Sequence, residues 1–465
     1  MMRYISIFVT MLICVSVYGV VPKLFVYRND NKFNQVELDA SVILRHDISV
    51  LNKTLNIAEG VDIPLEAVDS LVVRKIDIPT VRITLIDYPE ATMLWEKELY
   101  LNATVEIEGN GFIDDVPETI LKIKGRGNTT WGMPKKPMRL KFDKKIQIGN
   151  LTKAKNYVLL NNYIDPSLMK NAVVMWLSEQ LDMPYSNHGL PCNVYMNGHY
   201  AGSYLMTEKV GINSGSVDID EATGMLFELS VEYDEPYKFR SESLGLPVMV
   251  KDPDFDELYE NDPTGLTPSE RLSLWQADFN RAESLAINKR GIEAFDIESF
   301  ANYYLVNAVA CNSEIGYPKS VYLYKRSLDA TEKYYFGPTW DFDVSFNYYR
   351  LENDSIVEYP ADKNLWTAHI FSRLLANEEF KNAYQQKFKE FKENIYPEML
   401  DYVDWLAYQI DPSAKMNAQV WGEDVNLGWI YAYPSYDTKM LVGNLKEWIK
   451  KRVEYLESRV NAGLY

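Results

Sequence analysis

Lys122-Ile123-Lys124-Gly125-Arg126-Gly127-Asn128-Thr129-Thr130-Trp131, followed by Pro134-Lys135-Lys136-Pro137-Met138-Arg139-Leu140-Lys141-Phe142, is the stretch on which the reading of this chain turns. Residues 120–124 and 138–142 alternate apolar with charged side chains, the period of two that a half-buried strand requires, so they predict two strands joined by a Gly/Asn/Pro-rich loop. Between Leu121 and Lys145 there are nine Lys/Arg and one acid, Asp143, in a chain whose net charge is -18. Such a contrast marks a local field. Gly125 and Gly127 let the backbone turn tightly and approach a ligand. Arg126 can grip an anion with two parallel hydrogen bonds, and a strand-borne Lys can serve as a point charge on the same group. A solvated basic hairpin that discourages edge pairing explains the same residues. On residue chemistry alone the two readings stand level.

Working outward, residues 21–110 carry short alternating runs such as Leu24-Phe25-Val26-Tyr27, Leu71-Val72-Val73 and Val81-Arg82-Ile83-Thr84-Leu85, divided by polar and Pro-containing turns, and predict a β-rich region. Helical spacing follows Asp165-Pro166 over residues 167–181. The Asn197-Gly198 pair between residues 191–195 and 201–207 is a hairpin signal. Strands are expected at 224–229, 246–250, 320–325 and 334–336. Helices are expected at 268–289, 297–309, 378–395 and 440–463. The class is α+β, strands first and helices later. The expected divisions are a signal peptide over 1–19, a β-rich region over 20–110, a main domain over 111–400 and a helical C-terminal extension over 401–465.

Three further groups can carry chemistry. Asp341 and Asp343 in Trp340-Asp341-Phe342-Asp343 point the same way if extended, and could face one hard cation; capping of a turn is the competing role. Asn312 and Glu314 follow an apolar helix, with Lys319 close behind, and could supply a metal ligand and a general base or simply a helix cap and an exposed acid. Asn161, Asn162 and Asp165 read as caps, and Glu208-Lys209 and Glu228 as strand-end ion pairs.

Composition narrows the classes. At 465 residues the chain exceeds what one core usually supports. Its acidity disfavours a nucleic-acid binder, which needs a basic face. Met1-Met2-Arg3 before the apolar run 4–17 reads as an export signal too short to span a bilayer, with a lipid anchor on Cys14 as the weaker option. The expectation is an exported chain, periplasmic, cell-surface or extracellular, with no transmembrane helix once the signal is removed. Cys192 and Cys311 could form one bridge or remain two thiols, and their apolar surroundings favour thiols.

Taken in order, Lys124 to Phe142, Asn161 to Asn171, Val194 to Lys209 and Gly337 to Asp343 resemble the CotH kinase family of spore-coat-protein-H-like proteins, secreted bacterial members included. The resemblance implies an atypical protein-kinase-like fold, ATP and Mg²⁺ as cofactors, and phosphorylation of Ser/Thr on a secreted or surface protein substrate. It implies Asp341 as the catalytic metal-binding acid with Asp343 beside it and Asn312 as a further ligand. Nucleotide phosphates would fall to Arg126, Lys136, Arg139, Lys141 and Lys209. Where the family has a catalytic Asp two positions after an Asn, this chain has Glu314 after Asn312, one methylene longer, and catalytic positioning is sensitive to such shifts. That departure motivates the alternative of a non-catalytic surface or assembly protein that retains the fold.

Overall fold

Alternation of small and branched apolar residues with polar ones builds the central element. The structure is a computed structural model. It describes residues 77–260, 265–346, 370–422 and 437–464 in full, and a few short strands and one helical turn outside those ranges by their backbone. The leader expected over residues 1–19 lies outside the described residues.

The N-terminal strands form two small antiparallel sheets. β1 (Lys23–Arg28) lies between β2 (Phe33–Glu37) and β6 (Val68–Arg74), and β3 (Ile48–Leu51), β4 (Thr54–Ile57) and β5 (Val61–Pro64) form the other. The next seven strands close a barrel: β7 (Thr80–Leu85), β8 (Leu101–Glu108), β9 (Val116–Gly125), β10 (Met138–Ile146), β11 (Ala154–Leu160), β12 (Leu190–Met196) and β13 (His199–Glu208), in spatial order β10-β11-β13-β12-β7-β8-β9. Only β7 and β12 pair in parallel. Val81, Ile83, Val105, Ile123, Leu140, Tyr157 and Met206 fill the interior. The expected boundary at 110/111 is therefore corrected, because β7 and β8 are barrel staves and closure removes the exposed edges a separate region would have.

The hairpin at Asn197-Gly198 has φ of 48° and 82°, the left-handed pair a two-residue turn requires. The Asn197 carboxamide also fastens the hairpin to the segment after β7, accepting from Leu85 N–H and donating to the Tyr88 and Ala91 carbonyls, each at 2.8 Å.

The second half is a five-stranded antiparallel sheet of β14 (Met225–Leu229), β15 (Lys238–Arg240), β16 (Pro247–Asp252), β17 (Val321–Lys325) and β18 (Tyr335–Phe336), in order β15-β16-β14-β17-β18. Its helices are α1 (Lys170–Gln180), α2 (Phe255–Tyr259), α3 (Pro268–Ile287), α4 (Ile297–Ala310), α5 (Trp366–Leu375), α6 (Glu378–Glu390), α7 (Tyr396–Trp421) and α8 (Thr438–Asn461). The helices expected at 268–289 and 297–309 form with caps: Thr267 and Glu270 make a capping box at α3, and Asp296 caps α4. Helix α1 begins at Lys170, three residues later than the expected start at 167, since the Asp165 carboxylate reaches past the turn to Lys170 N–H at 2.9 Å.

The C-terminal helices are not an extension. In α7, the Asn417 oxygen accepts from Ser203 N–H at 3.1 Å and from Lys135 Nζ at 2.7 Å, and the Trp421 indole donates to the Ala201 carbonyl at 3.0 Å. Leu445, Ile449 and Leu456 of α8 sit in the same core as α4. The expected division at 401 falls inside α7. Cys192 and Cys311 are both buried and are not joined in a disulfide. Among the described residues no helix is long and apolar enough to cross a membrane.

Candidate functional site

The outer face of the barrel carries the basic stretch. Along β10 the side chains of Met138, Leu140 and Phe142 point in, leaving Arg139 and Lys141 outside. Register sets Arg139 opposite Lys124 and Lys141 opposite Lys122. Like charges facing across strands are unfavourable, and the chain offsets them locally. The Tyr100 ring lies 5.2 Å from Lys124 Nζ, 5.9 Å from the Arg139 guanidinium and 5.8 Å from Lys141 Nζ, while Glu98 accepts from Lys124 at 2.7 Å.

The loop after β9 needs both its glycines. A Cβ on Gly125 would lie 2.3 Å from the Trp131 ring, and Gly127 has φ of +84°. Between them Arg126 reaches across to the other half of the molecule, its guanidinium 5.5 Å from the centre of the Trp340 ring. Burial pulls the Arg126 pKa down, with the Asp341 carboxylate as the chief opposing influence.

Facing it, the Trp340-Asp341-Phe342-Asp343 turn is held by the first turn of α1. Asn171 accepts from Phe342 N–H at 3.0 Å and donates to Asp343 Oδ1 at 2.5 Å, and Lys170 Nζ donates to the Asp343 carbonyl at 2.9 Å. Asp341 has φ of 65° and Ser320, whose hydroxyl donates to it at 3.4 Å, has φ of 55°. Left-handed backbone away from glycine is a strain that persists where surrounding contacts fix it, and Asp tolerates it better than most residues.

Glu314 completes the acidic wall. It is 5% exposed, its Oε2 has no hydrogen-bond partner, and its nearest cation, Lys319, is 4.0 Å away and also bound to Glu232 at 3.1 Å. Burial, then the Asp341 charge, pushes the Glu314 carboxyl well above the usual carboxylate range. The same two causes raise Asp343 to about 7, against the Asn171 hydrogen bond.

These walls enclose one cleft of about 700 Å³ between the barrel and the five-stranded sheet, lined by Arg126, Arg139, Lys209, Glu314, Asp341 and Asp343 among others. Three of the expected residues stand elsewhere. Lys136 donates to the Trp131 carbonyl at 2.8 Å and lies over that ring, bracing the loop. Lys141 is exposed further along β10. Asn312 does not line the cleft: its oxygen accepts from Glu314 N–H and its nitrogen donates to Asn307, both at 3.1 Å, so its amide positions Glu314 and its oxygen is already engaged. Sequence reasoning missed Lys170 and Asn171 as supports of the acidic turn. It also missed Lys251, which bridges Glu228 at 2.9 Å and Glu235 at 2.7 Å across the cleft floor. A signal for the first pair was present, since Lys and Asn directly after a helix start, with apolar residues following, are candidates for an inward-facing polar turn.

The acidic wall suits a hard divalent cation. Glu314, Asp341 and Asp343 line the same cleft, the Glu314 Oε2 has no hydrogen-bond partner, and buried carboxylates in one cleft repel one another. Among the described residues no group of three His, Cys, Asp or Glu side chains is placed to hold a metal ion, so the protein would supply only part of a cation's shell. Magnesium commonly takes one or two protein carboxylates with water and phosphate.

Fold and site define an α+β protein with a basic barrel face and an acidic turn set across a single cleft. The chain belongs to the CotH kinase family: a family model described as "CotH kinase protein" matches residues 123–456, the greater part of the chain. No curated protein matches it.

Proposed function

We propose that this chain is an exported, Mg²⁺-dependent protein kinase that transfers phosphate from ATP to Ser/Thr of a secreted or surface protein, on an atypical kinase-like fold. One observation carries the reading: Arg126, Arg139 and Lys209 share a cleft with Glu314, Asp341 and Asp343, although these residues come from five separated segments. Phosphoryl transfer asks a protein mainly for positioning and charge stabilisation, and these residue types supply both. Arg126, Arg139 and Lys209 bind the phosphate oxygens. Asp341 and Asp343 would hold the metal, which would supply positive charge against the negative charge of the phosphates. Glu314, positioned by Asn312, accepts a hydrogen bond from the acceptor hydroxyl and orients it. The apolar run near the N-terminus supports export. Incubation with γ-labelled ATP, Mg²⁺ and acceptor protein should yield labelled phosphoserine or phosphothreonine. Nucleotide binding without label transfer, even at high enzyme concentration, would favour the non-catalytic alternative that the longer acid at position 314 suggests.

Two measurable consequences follow from named contacts. Asn171→Ala removes the two Asn171 contacts to the acidic turn and leaves the one from Lys170. Loss of a group that orients a metal ligand lowers metal affinity by about 10–100-fold. Magnesium titration of ATP binding should show a shift of that size, with the circular dichroism spectrum unchanged.

Lys209 gives the second. Burial, then the neighbouring Arg139 charge, lowers its pKa to about 8. The folded value lies below that of an unfolded Lys, so the group destabilises the free protein below pH 8 and this cost is relieved as pH rises from 8 towards the unfolded value. A bound polyphosphate restores the charged form. Calorimetric ATP titrations at pH 9 in buffers of different ionisation enthalpy should therefore report net proton uptake approaching one, and Lys209→Met should abolish it.

A further inference from the structure

A second cavity, of about 580 Å³, lies at the seam between the barrel and the C-terminal helices and shares no lining residue with the phosphate cleft. Its character is different. Trp176 of α1 stacks on Tyr402 of α7 with ring centres 4.9 Å apart and planes 10° apart, and Tyr402 stacks on Trp405 at 5.6 Å and 27°. All three rings are half-buried and line the cavity.

Apart from His188, which pairs with Glu208, the charged groups on its wall are acidic. Asp114 and Glu179 line the cavity exposed, and neither has an ion pair with a basic side chain among the described residues. No Lys or Arg lines it. The hydrogen bond to Glu208 raises the His188 pKa and burial raises that of Tyr402, with the Glu179 charge a lesser contributor to each. His188 has its Nδ1 tied to Glu208 at 2.9 Å, which fixes the ring at the cavity wall. Among the described residues, no Lys or Arg of the chain lies over Trp176, Tyr402 or Trp405.

Aromatic rings beside unneutralised carboxylates in a concave seam are the chemistry that recognises an alkylammonium ion. The ring quadrupoles attract the charge, the apolar surface takes the methyl or methylene groups, and the carboxylates supply long-range attraction. A neutral or anionic ligand would leave both acids without a counter-charge. We infer that this cavity is a binding site for an alkylammonium group, either a lysine side chain of a protein or a free small amine, separate from phosphoryl transfer.

The test uses the full chain and two cationic probes, tetramethylammonium and Nα-acetyl-lysine methylamide, with neopentyl alcohol as the neutral counterpart of the first. Tryptophan fluorescence and the His188 imidazole resonances report binding. At least one cation should bind about tenfold more tightly than the neutral probe and shift the His188 signals. Glu179→Gln, an exposed change that leaves the packing intact, should weaken that binding at least threefold, and Asp114→Asn combined with it about tenfold. Tighter binding of the lysine derivative assigns the group to a protein side chain, and tighter binding of tetramethylammonium assigns it to a free amine. The inference is overturned if the neutral probe binds as well as the cations, if no cation binds, or if Glu179→Gln leaves the affinity unchanged. ATP transfer and Mg²⁺ dependence read the other cleft, so failure here leaves the phosphotransferase reading untouched.

Discussion

Asp341→Asn is expected to lower phosphate transfer from ATP by about 10³-fold or more, because loss of the charge that seats a metal forfeits several kcal/mol of transition-state stabilisation. The substitution isolates that charge. Asn accepts left-handed backbone nearly as well as Asp, so the φ of 65° at this position survives. Neighbouring contacts survive too: Asn171 still braces Phe342 and Asp343, and Trp340 still lies under Arg126. Initial rates of label transfer at saturating ATP and Mg²⁺ measure the effect. A variant within threefold of the unaltered protein would remove Asp341 from the proposed machinery.

Lys170→Met should destabilise the protein by about 3 kcal/mol or more, since removing one partner from a buried charge cluster leaves the others uncompensated. Lys170 is wholly buried in the first turn of α1, its ammonium held to the Asp343 carbonyl. Burial lowers its pKa, with Asp165 the leading influence that restores it and Asp343 the next. Methionine keeps the length of the side chain and deletes the charge, so packing changes little. The midpoint of urea unfolding should fall accordingly, and adding Asp343→Asn should recover part of the loss. An unaltered midpoint would show that the acidic turn holds its shape without a cation from α1.

How much of this was legible in the residues depends on range. The period of two in 120–124 and 138–142, the Asn-Gly turn and the helical stretch at 268–289 are local signals, and the structure forms each element within a few residues of where they place it. Barrel closure is not local. β7 pairs with β12 across more than a hundred residues, which no window of sequence contains, so residues 80–108 read as part of a separate region. The division at 401 failed for a related reason, since α7 is anchored by Asn417 and Trp421 to strands two hundred positions earlier.

Within the site, residue type outran geometry. The charge contrast at 121–145 left an anion-handling face level with a solvated basic hairpin, and it could not rank the cations. Arg126 and Arg139 line the cleft, Lys136 braces a loop and Lys141 is exposed further along β10, outside the cleft lining. Strand parity put Arg139 and Lys141 on one face, but how far along that face the cleft extends is set by where the second sheet docks. Lys170 and Asn171 escaped notice because an amphipathic reading of α1 expects one apolar face, whereas the helix is buried nearly all round and its polar first turn is turned inward.

The most direct measurement is the calorimetric affinity of the full chain for ATP with and without Mg²⁺, repeated on Arg126→Ala. The account predicts binding that strengthens markedly with Mg²⁺ and weakens about tenfold or more when the guanidinium is lost, the scale of a bidentate charge-assisted contact. ATP binding that is indifferent to Mg²⁺ and unchanged in Arg126→Ala would contradict it, because the two walls of the cleft would then not meet on one ligand.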